Sequence, residues 1–231
     1  MTIRTLKTHR RAPASGRIAN AVVFLHGYGA DANDLMGLAD PLAPHMPDTL
    51  FLAPDAPERC TVNPMGYQWF PIPWIDGSSA EAAREGLLRA AADLDAWLDG
   101  VLDAEGLAPA QVALLGFSQG TMMALQVAPR RTEQLGAVVG FSGRLLNEKG
   151  FAAEVKSRPP VLLLHGDRDD VVPVMSMPDA AGVLEDAGFE VYAQIMQGQG
   201  HGIAPQGLAT ALGFLTDKLP RTGGTGPNGP V

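Results

Sequence analysis

From about residue 20 to residue 218, short apolar runs alternate with stretches of helical periodicity. The runs at 21–25, 49–52, 111–115, 136–141, 161–164 and 190–196 are predicted as strands. Several are apolar on both faces and bounded by turn residues, as strands buried within a parallel sheet are. Between them, 33–43, 79–104, 119–129, 176–187 and 205–218 carry helical patterns. This alternation predicts an α/β fold, a mostly parallel central sheet with helices on both faces. The 79–104 helix has the fullest set of signals. Leu87, Ala91, Leu94, Leu98 and Leu102 recur every three or four residues and form a stripe that must pack on the sheet. Ser78 and Glu81 have capping-box spacing, and Gly106 and Pro109 end the pattern.

Two segments resist this reading. Residues 53–77 hold Pro54, Pro57, Pro64, Met65, Trp69, Phe70, Pro71, Pro73 and Trp74. A connection this long in a compact domain is expected to have a function of its own. Residues 219–231, rich in Gly and Pro, are expected to be a disordered tail.

Length and charge narrow the picture. At 231 residues the chain fits one domain, placed at 21–218, with little room for a large cap. No apolar run approaches the roughly 20 residues that span a bilayer. The net charge of −8 is uneven. Residues 1–20 carry Arg4, Lys7, Arg10, Arg11 and Arg17 and no acid, and read as a solvated basic leader. The rest has 12 Lys and Arg against 25 Asp and Glu, a balance of −13. An acidic body argues against nucleic-acid partners. It also disfavours anionic partners at long range, so uncharged alcohols are the expected ester component. The leader lacks the apolar stretch of a signal peptide. The single cysteine, Cys60, cannot form an intrachain disulfide, which fits a reducing, cytoplasmic setting.

The chemistry lies at the strand ends. Gly116-Phe117-Ser118-Gln119-Gly120 follows one predicted strand and opens a helix. In a G-x-S-x-G turn the serine is lifted above the sheet, and the glycines let strand and helix crowd together. Such a nucleophile needs a base, and the base needs an orienting acid. Of five histidines, His201 sits in a Gly-rich loop between the last strand and the last helix. Acids cluster after another strand, at Asp167, Asp169 and Asp170. Ser118, Asp169 and His201 follow the chain order of α/β-hydrolases, and each follows a strand C-terminus. Ser142 lacks the second glycine and reads as a pocket wall. The acids lack the further oxygen ligands of a hard-cation site, so no metal is expected. One oxyanion donor should be the Gln119 N–H, and a second should come from His26-Gly27-Tyr28-Gly29.

Taken together, four stretches resemble the bacterial phospholipase/carboxylesterase family of serine hydrolases, relatives of the acyl-protein thioesterases. They are Phe24-Leu25-His26-Gly27-Tyr28-Gly29-Ala30-Asp31, the Ser118 pentapeptide, His165-Gly166-Asp167-Arg168-Asp169-Asp170-Val171-Val172-Pro173 and Gly200-His201. Gly66-Tyr67-Gln68-Trp69-Phe70 resembles that family's aromatic loop. The resemblance implies the α/β-hydrolase fold and a cofactor-independent hydrolase of small-molecule esters. It implies Asp169 as the catalytic acid with Asp167 as a structural neighbour, and Tyr28 and Gln119 as the oxyanion donors. Lysophospholipids and acyl thioesters are substrates in some members. Short to medium acyl esters are the expected substrates here, with Met65, Trp69, Phe70 and Trp74 as the acyl-pocket wall. The expected assembly is a monomer or homodimer. The rival of a different class is a catalytically silent hydrolase fold used for binding.

Overall fold

The computed structural model of the chain describes residues 2–221. In chain order the first strands are β1 (Thr8–Arg11), β2 (Asn20–Leu25) and β3 (Thr49–Pro54), with helices α1 (Ala32–Met36) and α2 (Ala39–Leu42) between the last two. A small hairpin follows, β4 (Glu58–Arg59) and β5 (Tyr67–Gln68), then α3 (Pro73–Asp76) and the long α4 (Ala80–Glu105). The remainder alternates as β6 (Val112–Phe117), α5 (Gln119–Val127), β7 (Ala137–Phe141), α6 (Glu148–Glu154), β8 (Val161–Gly166), α7 (Ser176–Asp186), β9 (Val191–Met196) and α8 (Pro205–Lys218).

Seven strands form one sheet in the order β1-β3-β2-β6-β7-β8-β9. Every neighbouring pair is parallel except β1 with β3. Successive side chains of a strand point to opposite faces. Thus Ala21, Val23 and Leu25 of β2 join Leu94 and Leu98 of α4 in one core, while Val22 and Phe24 face the other core with Leu42 of α2 and Leu215 of α8. A strand buried on both sides must be apolar throughout, which is why these runs show no alternation. Among the described residues, no helix is long and apolar enough to cross a membrane.

The structure corrects several expectations. The leader is not simply solvated. Thr8–Arg11 pairs antiparallel with Phe51–Pro54, and Leu6 is buried. Arg4 reaches the buried carboxylate of Asp93 on α4, with Nε donating to Oδ2 at 2.7 Å and the backbone N–H to Oδ1 at 2.8 Å. The tail boundary also moves. Leu219 is buried, and the Asn20 amide donates to the Pro220 carbonyl at 2.7 Å. The rest of the predicted tail, 222–231, lies outside the described residues. The 33–43 pattern breaks into two short helices around Gly37 and Leu38. The cap of α4 is Ser79 rather than Ser78, its Oγ accepting from the Ala82 N–H at 3.0 Å.

Candidate active site

Ser118 stands between β6 and α5 with φ +53°, ψ −114°, a conformation that costs a non-glycine residue roughly 1–3 kcal/mol. The turn holds because nothing else fits beside it. A Cβ on Gly120 would lie 1.8 Å from the Leu25 carbonyl oxygen, and one on Gly116 would lie 2.4 Å from the Gly120 backbone. The Ser118 N–H donates to the Phe141 carbonyl at 2.9 Å, tying the turn to the end of β7. In an open helix Gly→Ala gains up to ~1 kcal/mol. Here the clash is with backbone, so Gly120→Ala should lose more than the ~1–3 kcal/mol usual for overpacking, read by urea denaturation. A variant as stable as the wild type would mean the turn has room it does not show.

The predicted acid and base lie within hydrogen-bond distance of each other. Asp169 Oδ2 lies 2.8 Å from His201 Nδ1, and the carboxylate side chain has no exposed surface. Its Oδ1 accepts from the Val172 N–H at 2.8 Å and the Val171 N–H at 3.0 Å. Burial pushes its pKa up, but these backbone donors and His201 outweigh that and hold it below the usual carboxylate range. With Nδ1 given to Asp169, His201 has Nε2 left for proton transfer. The His201 ring stacks at a tilt on Phe117, centroids 4.9 Å apart, which places it over the residue before Ser118. Asp167 has a different task. Its Oδ1 accepts from the Gly198 N–H at 2.6 Å, and Arg168 N–H donates to the Gln199 carbonyl at 2.9 Å, so this loop fixes the one that carries His201.

His26 is buried, and both its ring nitrogens are used. Nε2 accepts the Ala56 N–H at 2.9 Å, so the proton sits on Nδ1, 2.8 Å from the Gly27 carbonyl. Burial drives its pKa below the ordinary histidine value. The native state therefore favours neutral His26, while the unfolded chain protonates near pH ~6.5. Stability should be full above that pH and fall as acid is added below it. Urea denaturation from pH ~7 to ~5 should show this decline, and His26→Gln should flatten part of it. A wild-type profile that is flat there would contradict the tautomer.

The predicted oxyanion donors lie on two different segments. Gln119 begins α5 directly after Ser118, with its side chain spent on structure. Its Oε1 accepts from the Trp69 N–H at 2.9 Å, and its Nε2 donates to the Phe70 carbonyl at 2.7 Å. Tyr28 stands in the loop after β2. Its hydroxyl donates at 3.0 Å to Asp76 Oδ2, which also accepts the Ile72 N–H at 2.8 Å. A Cβ on Gly66 would sit 2.0 Å from the Gly29 carbonyl oxygen, and Gly29 and Ala30 pair with Tyr67 through 2.8 Å hydrogen bonds. The aromatic loop is thus stitched to the loop that carries Tyr28.

That stitching overturns the predicted acyl-pocket wall as one surface. Trp69 is wholly buried, its indole N–H donating to the His26 carbonyl at 3.0 Å, and Phe70 is buried beside it. Both brace the site from beneath. Met65 and Trp74 are instead exposed. The cavity beside His201, of about 390 Å³, is lined by Phe117, Ala30, Leu35, Leu38 and Ile203, with Asp34 and His26 also reaching it. Sequence reasoning missed Leu35, Leu38 and Ile203. They come from two distant segments, and only the helical spacing of the 33–43 run hinted at an inward face. α1 is held there by Asp55, whose Oδ1 accepts the Ala32 N–H at 2.9 Å. Among the described residues, no group of three or more His, Cys, Asp or Glu side chains is placed to hold a metal ion.

Residues 11–219 match the phospholipase/carboxylesterase family. The crystal structure of esterase PE8 superposes with a TM-score of 0.88 at 43% identity, covering 93% of this chain and 99% of that one. Acyl-protein thioesterase 1 of Gibberella zeae is 29% identical over 222 residues, 90% of this chain and 94% of its own. A probable inactive carboxylesterase of Oryza sativa subsp. japonica is 27% identical over 225 residues, 93% of this chain and 91% of its own.

Proposed function

The chain belongs to the phospholipase/carboxylesterase family, and from that premise we propose that it is a serine carboxylic ester hydrolase working through an acyl-enzyme. The observations that carry this reading are a positive-φ Ser118 at a strand-to-helix turn and, stacked on the neighbouring Phe117, a His201 whose Nδ1 is held by a buried, charged Asp169. Ser118 Oγ attacks the ester carbonyl as His201 Nε2 takes its proton. The tetrahedral oxyanion is held by the Tyr28 and Gln119 N–H groups. His201 then returns the proton to the leaving alcohol, and water repeats the sequence on the acyl-enzyme. Asp169 keeps the imidazole in the tautomer that makes Nε2 the base.

The cavity walled by Leu35, Leu38, Phe117 and Ile203 is the acyl site in this reading. Apolar walls discriminate by only about 1–3 kcal/mol per methylene, so a broad preference for short to medium acyl groups follows. The likeness to an acyl-protein thioesterase favours thioesters as a second substrate class on the same residues. Cys60, buried and free, suits a reducing cytoplasmic setting.

Labelling with a fluorophosphonate tests the reading, since only an activated serine reacts fast. Mass spectrometry is expected to place the adduct on Ser118. An adduct on Ser142 would move the nucleophile. A chain that does not label would be the silent fold, a rival made concrete by the inactive relative from rice.

A further inference from the structure

Five arginines are partly or wholly shielded from solvent: Arg4, Arg11, Arg130, Arg131 and Arg144. Four of them hold carboxylates: Arg4 with Asp93 and Glu58, Arg11 with Asp40, Arg130 with Glu154, and Arg131 with Asp95 and Asp99. Arg144 differs. It makes no ion pair with any described residue, and its Nε, like Arg4 Nη2 and Arg131 Nε, is buried with no hydrogen-bond partner. An orphaned donor on a half-buried cation is costly, and such groups are normally paired.

The position of Arg144 matters more than its isolation. It follows Gly143, whose Cβ, if present, would lie 3.0 Å from the Ser118 carbonyl and 2.4 Å from Thr121 Cβ. It borders a gap of only about 10 Å³ with Thr121, Gly143 and His165 and apolar side chains such as Leu163 and Met177, and His165 Nε2 is 3.3 Å from Asp169 Oδ2. Arg144 therefore stands between the Ser118 turn and the acid loop, and it does not line the apolar cavity beside His201.

We propose that Arg144 is the anchor for an oxyacid anion, a carboxylate or phosphate, carried by the ester substrate. This rests on the hydrolase reading above and names the substrate class of the same site. A guanidinium presents a planar fork of donors that fits either group in bidentate fashion. A bound anion would supply the acceptor that the guanidinium of Arg144 lacks and the counter-ion that is missing. The overall charge of −8 had pointed to uncharged substrates. Long-range repulsion is screened over about a Debye length, whereas a half-buried pair is screened much less, so the local cation decides. The substrate class is then a short ester with a second, ionised end.

Two matched pairs of esters test this in a pH-stat at low salt. The butyrate ester of glycolate is compared with propyl butyrate, and the butyrate ester of glycerol 3-phosphate with glycerol monobutyrate, so that both anions sit on the alcohol side, away from the apolar acyl cavity. The wild type should favour the anionic member of at least one pair by ~10-fold or more in kcat/KM, as a charge-assisted hydrogen bond allows. The pair that shows the preference tells carboxylate from phosphate. Arg144→Gln should bring that ratio to within about threefold of unity, and Arg144→Lys should keep part of it. Arg144→Met, which retains the aliphatic stem, replaces the glutamine variant if thermal melting shows that one to be unfolded.

Calorimetric binding of the same anionic esters to Ser118→Ala, with and without Arg144→Gln, separates the two readings. If no ester is turned over but Arg144-dependent binding persists, the hydrolase reading fails and the anchor stands. Equal rates within both pairs in the wild type, or a preference that survives Arg144→Gln, would overturn the anchor.

Discussion

Ser118→Ala should leave the chain folded and lower kcat for any hydrolysed ester by at least ~10⁴-fold, with KM changed far less. Folding should survive because the strain of the turn is a backbone property. Alanine at φ +53° costs about what serine does, and the contacts that enforce the turn belong to Gly116 and Gly120. The rate should collapse because the nucleophile cannot be replaced by its neighbours. Thr121 Oγ1 is the nearest other hydroxyl along the chain, and it is already bonded to the Gly116 and Phe141 carbonyls at 2.8 and 2.9 Å. Ser142 is wholly buried. Water attacking with His201 as base, assisted by the oxyanion donors, is the only route left. It should supply a residual rate well above the uncatalysed one. Circular dichroism together with steady-state turnover checks both halves. A folded variant that keeps more than about a tenth of the activity would mean another nucleophile, against the triad logic.

The parts of this site that were legible in the sequence are those with local causes. The Gly116 and Gly120 requirement is met within five residues, and strands buried on both faces announce themselves as unbroken apolar runs. The misread parts have distant causes. Trp69 reads like a pocket aromatic, yet its place is set by Gly66 pressing on Gly29 and by the Gln119 side chain gripping Trp69 and Phe70. The wall of the cavity comes from Leu35 and Leu38 before the aromatic loop and Ile203 after His201, and no short window contains both. The first strand was invisible for another reason. Thr8-His9-Arg10-Arg11 lies at a sheet edge, where polar and basic side chains are the rule and an apolar signal is not needed. Arg144 was passed over as the residue that spoiled a second serine motif. Its meaning emerges only when the other shielded arginines are seen to be paired.

Asp169→Asn should cost about 10³–10⁴-fold in kcat, while Asp167→Asn should cost less than about tenfold. Both are carboxylates two residues apart in one loop, so the contrast must come from what each oxygen does. Asp169 Oδ1 accepts two backbone N–H groups, from Val171 and Val172. An asparagine must keep its carbonyl oxygen there, which forces its NH₂ to the Oδ2 position, facing His201 Nδ1. His201 can meet a donor only by turning Nδ1 into an acceptor, and its proton then moves to Nε2. A protonated Nε2 cannot take the Ser118 proton, so the base is lost with the ring still in place. The same NH₂ would face His165 Nε2, which already points at the Val172 carbonyl at 2.9 Å, so the amide has no better orientation to adopt. Asp167 Oδ1 accepts a single N–H, from Gly198, and an asparagine carbonyl can accept it equally well. The loop that carries His201 should therefore hold its position and lose only charge. Parallel kcat measurements on the two variants, with fluorophosphonate labelling rates beside them, check this. If Asp167→Asn proves the more damaging, the acid that orients His201 has been placed two residues too late in the chain.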